Sequence, residues 1–294
     1  RTLPTGGARG ESSGGGLRWV GIPETIPVAH VHPAEGETML TTREAVAAAL
    51  HRDEFRLVYQ PIVELSSGKT VGLEALVRWA HPELGEVGPV NFIQDFERSG
   101  AIEDLGGWVT KRAMTEAAEW HRAARERGRD LYLSVNVSGY ELQQLAYSVS
   151  LVTMCDDFQH RCQDLRVEVI ESEFDLGGDD VKANLATLRR EQIKVVIDDF
   201  GTGASTVERF IEVDADALKL DRSLIADIET APERAEIISA VASAARLAGL
   251  EVVAEGIERT SQLEVLLAAG CTYGQGYLFS RPVPASSVPS ILDR

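Results

Sequence analysis

The chain has 294 residues, of which 44% are hydrophobic and 6% aromatic, and its formal net charge at pH 7 is −17. This length holds one large domain or two medium ones, and a barrel of about 250 residues would fill it. The acidic balance argues against a nucleic-acid polymer or an anionic membrane as a general partner, because both repel a negatively charged protein. An anionic substrate would have to be bound by cations within its site.

The cysteines and the hydropathy of the chain indicate its compartment. Cys155, Cys162 and Cys271 are odd in number and lack a metal-ligand spacing, so we predict a reduced, cytoplasmic protein. No apolar run approaches the roughly 18 residues of a membrane span, and we expect no membrane contact from these residues. The chain begins with Arg1 rather than methionine. The alternative that a full-length protein is anchored in a membrane through an upstream segment therefore stays open.

The first 40 residues differ in composition from the rest. Residues 1–40 are rich in Gly, Ser, Pro and Thr, which is typical of a linker or the remnant of an upstream module, and a plain tail is an equal alternative. The sequence Thr41-Thr42-Arg43-Glu44 predicts the capped start of a helix that runs to about Arg52. We therefore place the folded domain at residues 41–294.

Strand-like runs then alternate with helical patterns. Two strands at 55–64 and 70–79 are separated by a short turn, which predicts an antiparallel pair. Further strands are predicted at 131–136, 166–170, 194–198, 217–220, 251–255 and 273–277, and helices at about 103–127, 140–160, 179–191, 232–248 and 260–269. Eight strands with intervening helices favour an α/β fold of the TIM-like (β/α)₈ barrel type over a doubly wound sheet, with the antiparallel first pair as a departure.

Polar residues lie in the apolar context of these strands. The β-branched run Val195–Ile197 ends on Asp198 and Asp199, which repel each other unless a cation neutralises them. In a (β/α)₈ barrel the C-terminal ends of the strands converge on one site. The other candidates at strand ends are Glu74, Asn136, Glu168, Lys219, Glu255 and Gln275. Each alone could be a satisfied core group, but together they favour a functional site.

The candidate ligands are all oxygen donors. This set suits Mg²⁺ or Mn²⁺ better than structural Zn²⁺. Several acids and an amide can hold two divalent cations that share a carboxylate, which is the arrangement that hydrolyses phosphodiesters by in-line attack of water. Lys219 could orient or deprotonate that water, or could be a plain ion-pair partner of the acids.

The order of the motifs resembles that of the EAL family of cyclic di-GMP phosphodiesterases. The signature Glu74-Ala75-Leu76-Val77-Arg78 follows Tyr59-Gln60-Pro61-Ile62. The series continues through Val135-Asn136-Val137-Ser138, Glu168-Val169-Ile170-Glu171, Asp198-Asp199-Phe200-Gly201-Thr202-Gly203, Lys219-Leu220-Asp221, Ala254-Glu255-Gly256 and Gly274-Gln275-Gly276. The resemblance covers about residues 41–294 in the family's order and spacing.

The resemblance implies a TIM-like barrel that hydrolyses cyclic di-GMP to linear pGpG with Mg²⁺ or Mn²⁺. By position, one cation would be held by Glu74, Asn136, Glu168 and Asp198. Asp198 would bridge to a second cation, with Asp199 beside it and Glu255 contributing directly or through water.

The same resemblance assigns roles to the remaining site residues. Lys219 matches the lysine that activates the water, and Glu171 matches the glutamate that steadies the loop after Asp199, at about 199–210. Gln60, Arg78 and Gln275 are assigned to the substrate side of the site, and Gln275 also matches the glutamine that supports it.

Two stretches depart from the family pattern. Residues 203–207 read Gly-Ala-Ser-Thr-Val where the family has an aromatic residue and then Ser-Ser-Leu, and Gly139-Tyr140 stands in place of Pro-Arg. The loop after Asp199 shapes the second cation site and often contributes to dimer contacts in the family, and we expect a homodimer. Since every assigned ligand position is filled, an active enzyme is favoured. A cyclic di-GMP receptor with negligible hydrolysis is the alternative, and a scaffold without nucleotide affinity is a weaker one.

Overall fold

A computed structural model describes residues 42–171, 178–202 and 214–293. The segment predicted as a linker, and residues 203–210 of the loop after Asp199, lie outside these ranges. The described part begins with α1 (Arg43–His51), whose first turn is capped because the Thr42 hydroxyl accepts the amide of Ala45 at 3.3 Å.

The predicted strands form a closed barrel. The sheet contains β1 (Phe55–Glu64), β2 (Thr70–His81), β3 (Gly85–Val87), β4 (Tyr132–Asn136), β5 (Leu165–Ile170), β6 (Lys194–Phe200), β7 (Ala217–Leu220), β8 (Glu251–Ala254), β9 (Tyr273–Gly274) and β10 (Val283–Pro284). Their order is β10-β1-β9-β8-β7-β6-β5-β4-β2-β3, and the pairing of β1 with β2 closes the ring. From β2 through β4 to β9 the neighbours are parallel, whereas β1 is antiparallel to both β2 and β9. The (β/α)₈ barrel with an antiparallel first pair is therefore confirmed, and β3 and β10 are short additions that the sequence did not predict.

Helices connect the strands and cover the barrel. The helices after α1 are α2 (Ile93–Ser99), α3 (Ile102–Glu126), α4 (Gly139–Leu142), α5 (Tyr147–Asp157), α6 (Asp179–Arg190), α7 (Arg222–Ile225), α8 (Pro232–Ala248), α9 (Thr260–Ala268) and α10 (Val288–Leu292). None of these described helices has the length and apolar character needed to cross a membrane.

The single helix predicted at about 140–160 is wrong, because the chain forms α4 and α5 there with a break between them. Asn184 of α6 bonds to both sides of the break. Its Oδ1 accepts the backbone amide of Ser148 at 3.1 Å, and its Nδ2 donates to the carbonyls of Leu142 and Gln144, each at 2.8 Å. These bonds satisfy backbone groups that a helix end leaves free.

The C-terminal segment closes one end of the barrel. Thr70, the first residue of β2, donates to the carbonyl of Ile291 at 3.5 Å, and Arg129 donates to the carbonyl of Leu292 at 2.9 Å. Both contacts lie at the end of the barrel where the parallel strands begin. The polar residues predicted to form the site lie at the opposite end.

On the outside of the barrel, between α3 and the turn after α5, the buried His121 pairs with the half-buried His160. His160 donates its Nε2–H to the carbonyl of Met114 at 2.6 Å, so its Nδ1 accepts from His121 Nδ1 at 3.1 Å. Within the described residues, Nε2 of His121 has no hydrogen-bond partner. Burial, together with the neighbouring His160, lowers the pKa of His121 to about 4, so the pair is neutral at pH 7.

Candidate active site

A β-bulge aims two consecutive acids at the same place. Successive side chains of a strand point to opposite faces, so Asp198 and Asp199 would normally diverge. The pairing of β6 with β7 shifts register between Ile197 and Phe200, and Asp199 has a φ of 57°. Aspartate tolerates this left-handed conformation better than most residues. As a result, Asp198 and Asp199 each offer an oxygen to a common group with Glu255.

Lys219 lies at the centre of the acids and is 1% exposed. Its Nζ is 2.6 Å from Glu255 Oε1, 2.8 Å from Glu168 Oε2, and 3.4 Å from both Glu74 Oε2 and Asp198 Oδ1. The lysine thus contacts four carboxylates that come from four different strands or strand ends. One positive charge does not balance four negative ones, so the group has capacity for further cations or protons.

Two amide side chains hold the carboxylates in place. Asn136 Nδ2 donates to Glu74 Oε1 at 3.0 Å, and Gln275 Nε2 donates to Glu74 Oε2 at 2.7 Å and to Glu255 Oε1 at 2.9 Å. Because an amide nitrogen is a donor, these bonds fix the orientation of the acids. The Oε1 atom of Gln275 is buried and has no hydrogen-bond partner within the described residues.

Sequence reasoning missed one buried contact of the site. Ser134 of β4 is fully buried, and its hydroxyl donates to Glu168 Oε1. Ser134 and Asn136 are two positions apart on the same strand and therefore share a face. That period of two was the signal that would have identified Ser134.

The acids form two groups that share one residue. Glu74, Glu168 and Asp198 can each present an oxygen within 4.8 Å of the others, and Asp198, Asp199 and Glu255 can do the same. Hard divalent cations prefer such oxygen ligands. The donor chemistry therefore fits two cations, with Asp198 common to both.

The electrostatics of the site show the same shortage of positive charge. Burial raises the pKa of Glu168 well above its usual value, and the charge of Glu74 raises it further. Burial also raises the pKa of Asp198, of Asp199 and of Glu255, the last to about 8. These carboxyls take up a proton more readily than ordinary ones, and a bound cation would offset the repulsion between them.

Glu74 and Lys219 shift toward their charged forms. Burial opposes the charge of Glu74, but Lys219 and the hydrogen bonds from Asn136 and Gln275 outweigh it and lower the pKa of Glu74. Burial likewise opposes the charge of Lys219, yet the surrounding carboxylates, led by Asp198 and Glu168, raise the pKa of its amine well above the usual value. Lys219 is therefore an ammonium group in this structure.

The turn after the bulge touches the last predicted acid, Glu171. This residue is buried, and its Oε2 accepts the backbone amide of Gly201 at 3.4 Å. The Thr202 hydroxyl donates to the carbonyl of Asp199 at 3.0 Å. The bond from Gly201 brings Glu171 to the start of the loop that it was predicted to steady.

The residues assigned to the substrate lie beside the acids. Gln60 is directly opposite Glu74 in the pairing of β1 with β2, and its Nε2 donates to the carbonyl of Ser280 at 3.2 Å. Gln60 and Gln275 line a cavity of about 190 Å³ with Arg222, Glu255, Gly256, Glu258, Gly276 and Tyr277. Arg78 is four residues beyond Glu74 on the same strand, and its Nη1 donates to the carbonyl of Val77 at 2.8 Å.

The family follows from this combination of barrel and acidic site. The family model of the EAL domain matches residues 43–282. The chain belongs to the EAL domain family, as its motifs predict.

Two curated relatives illustrate the match. Cyclic di-GMP phosphodiesterase NbdA of Pseudomonas aeruginosa is 36% identical over 260 residues, which cover 86% of this chain and 32% of NbdA. Signaling protein YkoW of Bacillus subtilis is 34% identical over 249 residues, which cover 84% of this chain and 31% of YkoW. The chain thus spans about a third of the length of these relatives.

Solved structures share the fold. The EAL enzyme Bd1971, in a form bound to cAMP and cyclic di-GMP, superposes with a TM-score of 0.80 at 30% identity over 85% of this chain and 68% of that one. The PaMucR phosphodiesterase in complex with cyclic di-GMP gives a TM-score of 0.77 at 32% identity over 83% of this chain and 98% of that one.

Proposed function

We propose that this chain hydrolyses cyclic di-GMP to linear pGpG with the help of two divalent cations, Mg²⁺ or Mn²⁺. The observation that carries the proposal is the presence of two sets of three acids, with Asp198 common to both, at one end of an EAL-family barrel. NbdA is named a cyclic di-GMP phosphodiesterase, and Bd1971 and PaMucR have that nucleotide bound. In the reaction, water adds to one phosphorus, one P–O3′ bond breaks, and the departing O3′ takes up a proton.

The acids and Asn136 are the proposed ligands. Glu74, Asn136, Glu168 and Asp198 would hold one cation, and Asp198, Asp199 and Glu255 the other. Bound there, two divalent cations would stabilise the charge that develops on the phosphate and lower the pKa of the attacking water. The hydrogen bonds from Asn136 and Gln275 hold the carboxylates in position before any ligand arrives.

Lys219 is proposed to orient the attacking water. Its raised pKa means that it begins as a hydrogen-bond donor, because an ammonium group has no lone pair with which to accept a proton. Divalent cations among the same carboxylates would repel the ammonium charge and lower this pKa, which would permit the role of base. Glu171 is proposed to hold the start of the following loop through Gly201.

Gln60, Arg78 and Gln275 are proposed to contact the nucleotide. Gln60 and Gln275 line the cavity beside the acids, and the buried Oε1 atom of Gln275 has no hydrogen-bond partner among the described residues. Arg78 donates through Nη1 to the carbonyl of Val77, and its other guanidinium donors are proposed to bind a phosphate. This cation would offset the net charge of −17 at the point where an anion must enter.

The organisation of the whole protein is also a proposal. We assign residues 41–294 to the EAL domain and residues 1–40 to a linker or the remnant of an upstream module. We propose a cytoplasmic domain that forms a homodimer.

The test compares Glu74→Ala with the wild type in an assay of pGpG formation with Mn²⁺ or Mg²⁺. We expect the variant to lose hydrolysis, because Glu74 is a proposed ligand of the cation that Glu168 and Asp198 also hold. Glu119→Ala, which changes an exposed acid of α3 outside the site, should retain wild-type rates. Substantial turnover by the Glu74 variant would refute the site, and a wild type that binds cyclic di-GMP without cleaving it would favour the receptor alternative.

A further inference from the structure

Ser134 occupies a special place in the pairing of β4 with its two neighbours. Ser134 is the register partner of Glu74 on β2, and Asn136 is the register partner of Glu168 on β5, so the two residues of each pair are level across the sheet. Both β4 residues project from the same face of the strand. Each one therefore lies within reach of two acids of the site.

The hydrogen bonds run diagonally rather than between level partners. The Ser134 hydroxyl donates to Glu168, which is level with Asn136, and Asn136 donates to Glu74, which is level with Ser134. The carboxylate of Glu168 is thus drawn toward the start of the strands, and that of Glu74 toward their ends. The two carboxylates meet at one level, where Lys219 contacts both, at 2.8 and 3.4 Å.

The contact also selects which oxygen of Glu168 faces the site. Oε1 accepts from Ser134, whereas Oε2 faces Lys219. A side chain that is bonded through one oxygen loses rotational freedom before a cation binds, so less ordering is needed at that moment. Without this acceptor the buried hydroxyl of Ser134 would be unsatisfied, so the bond to Glu168 also satisfies a polar group in an otherwise apolar part of β4.

We propose that Ser134 is a positioning residue that holds Glu168 in the geometry required by the first divalent cation. The inference rests on the proposed function for the identity of that cation site. Ser134 acts through Glu168 and touches neither cation nor nucleotide. Hydrogen-bond partners behind metal ligands typically contribute 10–100-fold to affinity.

The test is Mn²⁺ binding by titration calorimetry, with chelator-stripped protein and no nucleotide. We expect Ser134→Ala to weaken binding by about 10-fold or more. Ser134→Cys preserves the size of the side chain but replaces the hydroxyl by a weak donor, so it should weaken binding by nearly as much. In both variants, excess Mn²⁺ should restore most of the turnover, because the loss lies in cation affinity.

A matched control separates this role from a general loss of stability. Ser138 is also buried, but its hydroxyl accepts the amide of Glu141 at the start of α4, and within the described residues it has no hydrogen bond to the acids of the site. Ser138→Ala should lower the melting temperature and leave Mn²⁺ affinity unchanged.

Several outcomes would overturn the inference. Ser134→Ala with the Mn²⁺ affinity of the wild type would overturn it. If Ser134→Cys alone bound Mn²⁺ as tightly as the wild type, Ser134 would act through the packing of its side chain rather than through its hydrogen bond. An equal loss in Ser138→Ala would show a general effect of stability. Because binding is measured without nucleotide, a wild type that binds Mn²⁺ but cleaves nothing would refute the proposed function and leave this test intact.

Discussion

Replacing Lys219 by methionine tests whether this ammonium group holds the acids together when no divalent cation is present. Its Nζ contacts oxygens of Glu74, Glu168, Asp198 and Glu255 at distances between 2.6 and 3.4 Å. Methionine keeps a similar length and removes the charge. The variant therefore leaves buried carboxylates without their common cation.

The expected loss of stability follows from the burial of this cluster. Removing one partner of a buried ion pair costs about 3–5 kcal/mol. The raised pKa values of Glu168, Asp198 and Glu255 allow these carboxyls to take up protons in the variant, which limits the loss. We therefore expect the lower end, about 3 kcal/mol, which lowers the melting temperature by about 6–12 °C in a domain of this size.

The assay is thermal unfolding with chelator and then with Mn²⁺. A ligand that binds only the folded state stabilises it by about 2.7 kcal/mol at 100 times its Kd, so Mn²⁺ should restore most of the loss. Mn²⁺ should raise the melting temperature more in the variant than in the wild type, because the acids of the wild type already have the ammonium group of Lys219 beside them. Lys194→Met is the control, because Lys194 is 37% exposed and, among the described residues, pairs only with Glu251. We expect it to lose less than about 1 kcal/mol.

The reasoning would be refuted by a Lys219→Met protein that melts within about 2 °C of the wild type in chelator. An equal gain from Mn²⁺ in both proteins would also contradict it, because the acids would then have no greater need of a cation in the variant.

Two further predictions concern stability. The pKa of His121 is about 4 in the folded chain, whereas an unfolded histidine titrates near 6.5, so the unfolded state binds more protons between these values. Lowering the pH from 7 to 5 should therefore reduce the unfolding free energy by about 2 kcal/mol on account of this residue. In urea titrations, the unfolding free energy of His121→Gln should depend less on pH. An equal dependence on pH in both proteins would contradict the lowered pKa of His121. At Asp199, φ is 57°, so Asp199→Gly should be more stable than Asp199→Ala by about 1 kcal/mol in the same titrations, and the reverse order would argue against a left-handed residue there.

The sequence predicted the parts of the fold that depend on local patterns. Short apolar runs and helical periodicity identified the eight barrel strands, and the polar residue in or after each run identified Glu74, Asn136, Glu168 and Lys219. These side chains meet because the ends of neighbouring strands are adjacent in a closed barrel. The structure brings them to within hydrogen-bond or ion-pair distance of one another.

The features that local patterns did not predict depend on contacts between distant residues. The break between α4 and α5 is bonded by Asn184, which lies 36 residues beyond Ser148. The bulge at Asp199 is a property of the pairing of β6 with β7, and a strand pattern of period two predicts the opposite direction for that side chain. Ser134 resembles an ordinary strand residue until the position of Glu168 on the next strand is known.

The central claim is tested most directly by incubating the purified wild-type chain with cyclic di-GMP and Mn²⁺ in water enriched in ¹⁸O and analysing the nucleotides by mass spectrometry. The account predicts linear pGpG with one ¹⁸O atom in its terminal phosphate, and no product when a chelator is present. Unchanged cyclic di-GMP, or product that forms equally well in chelator, would contradict hydrolysis that depends on divalent cations at this site.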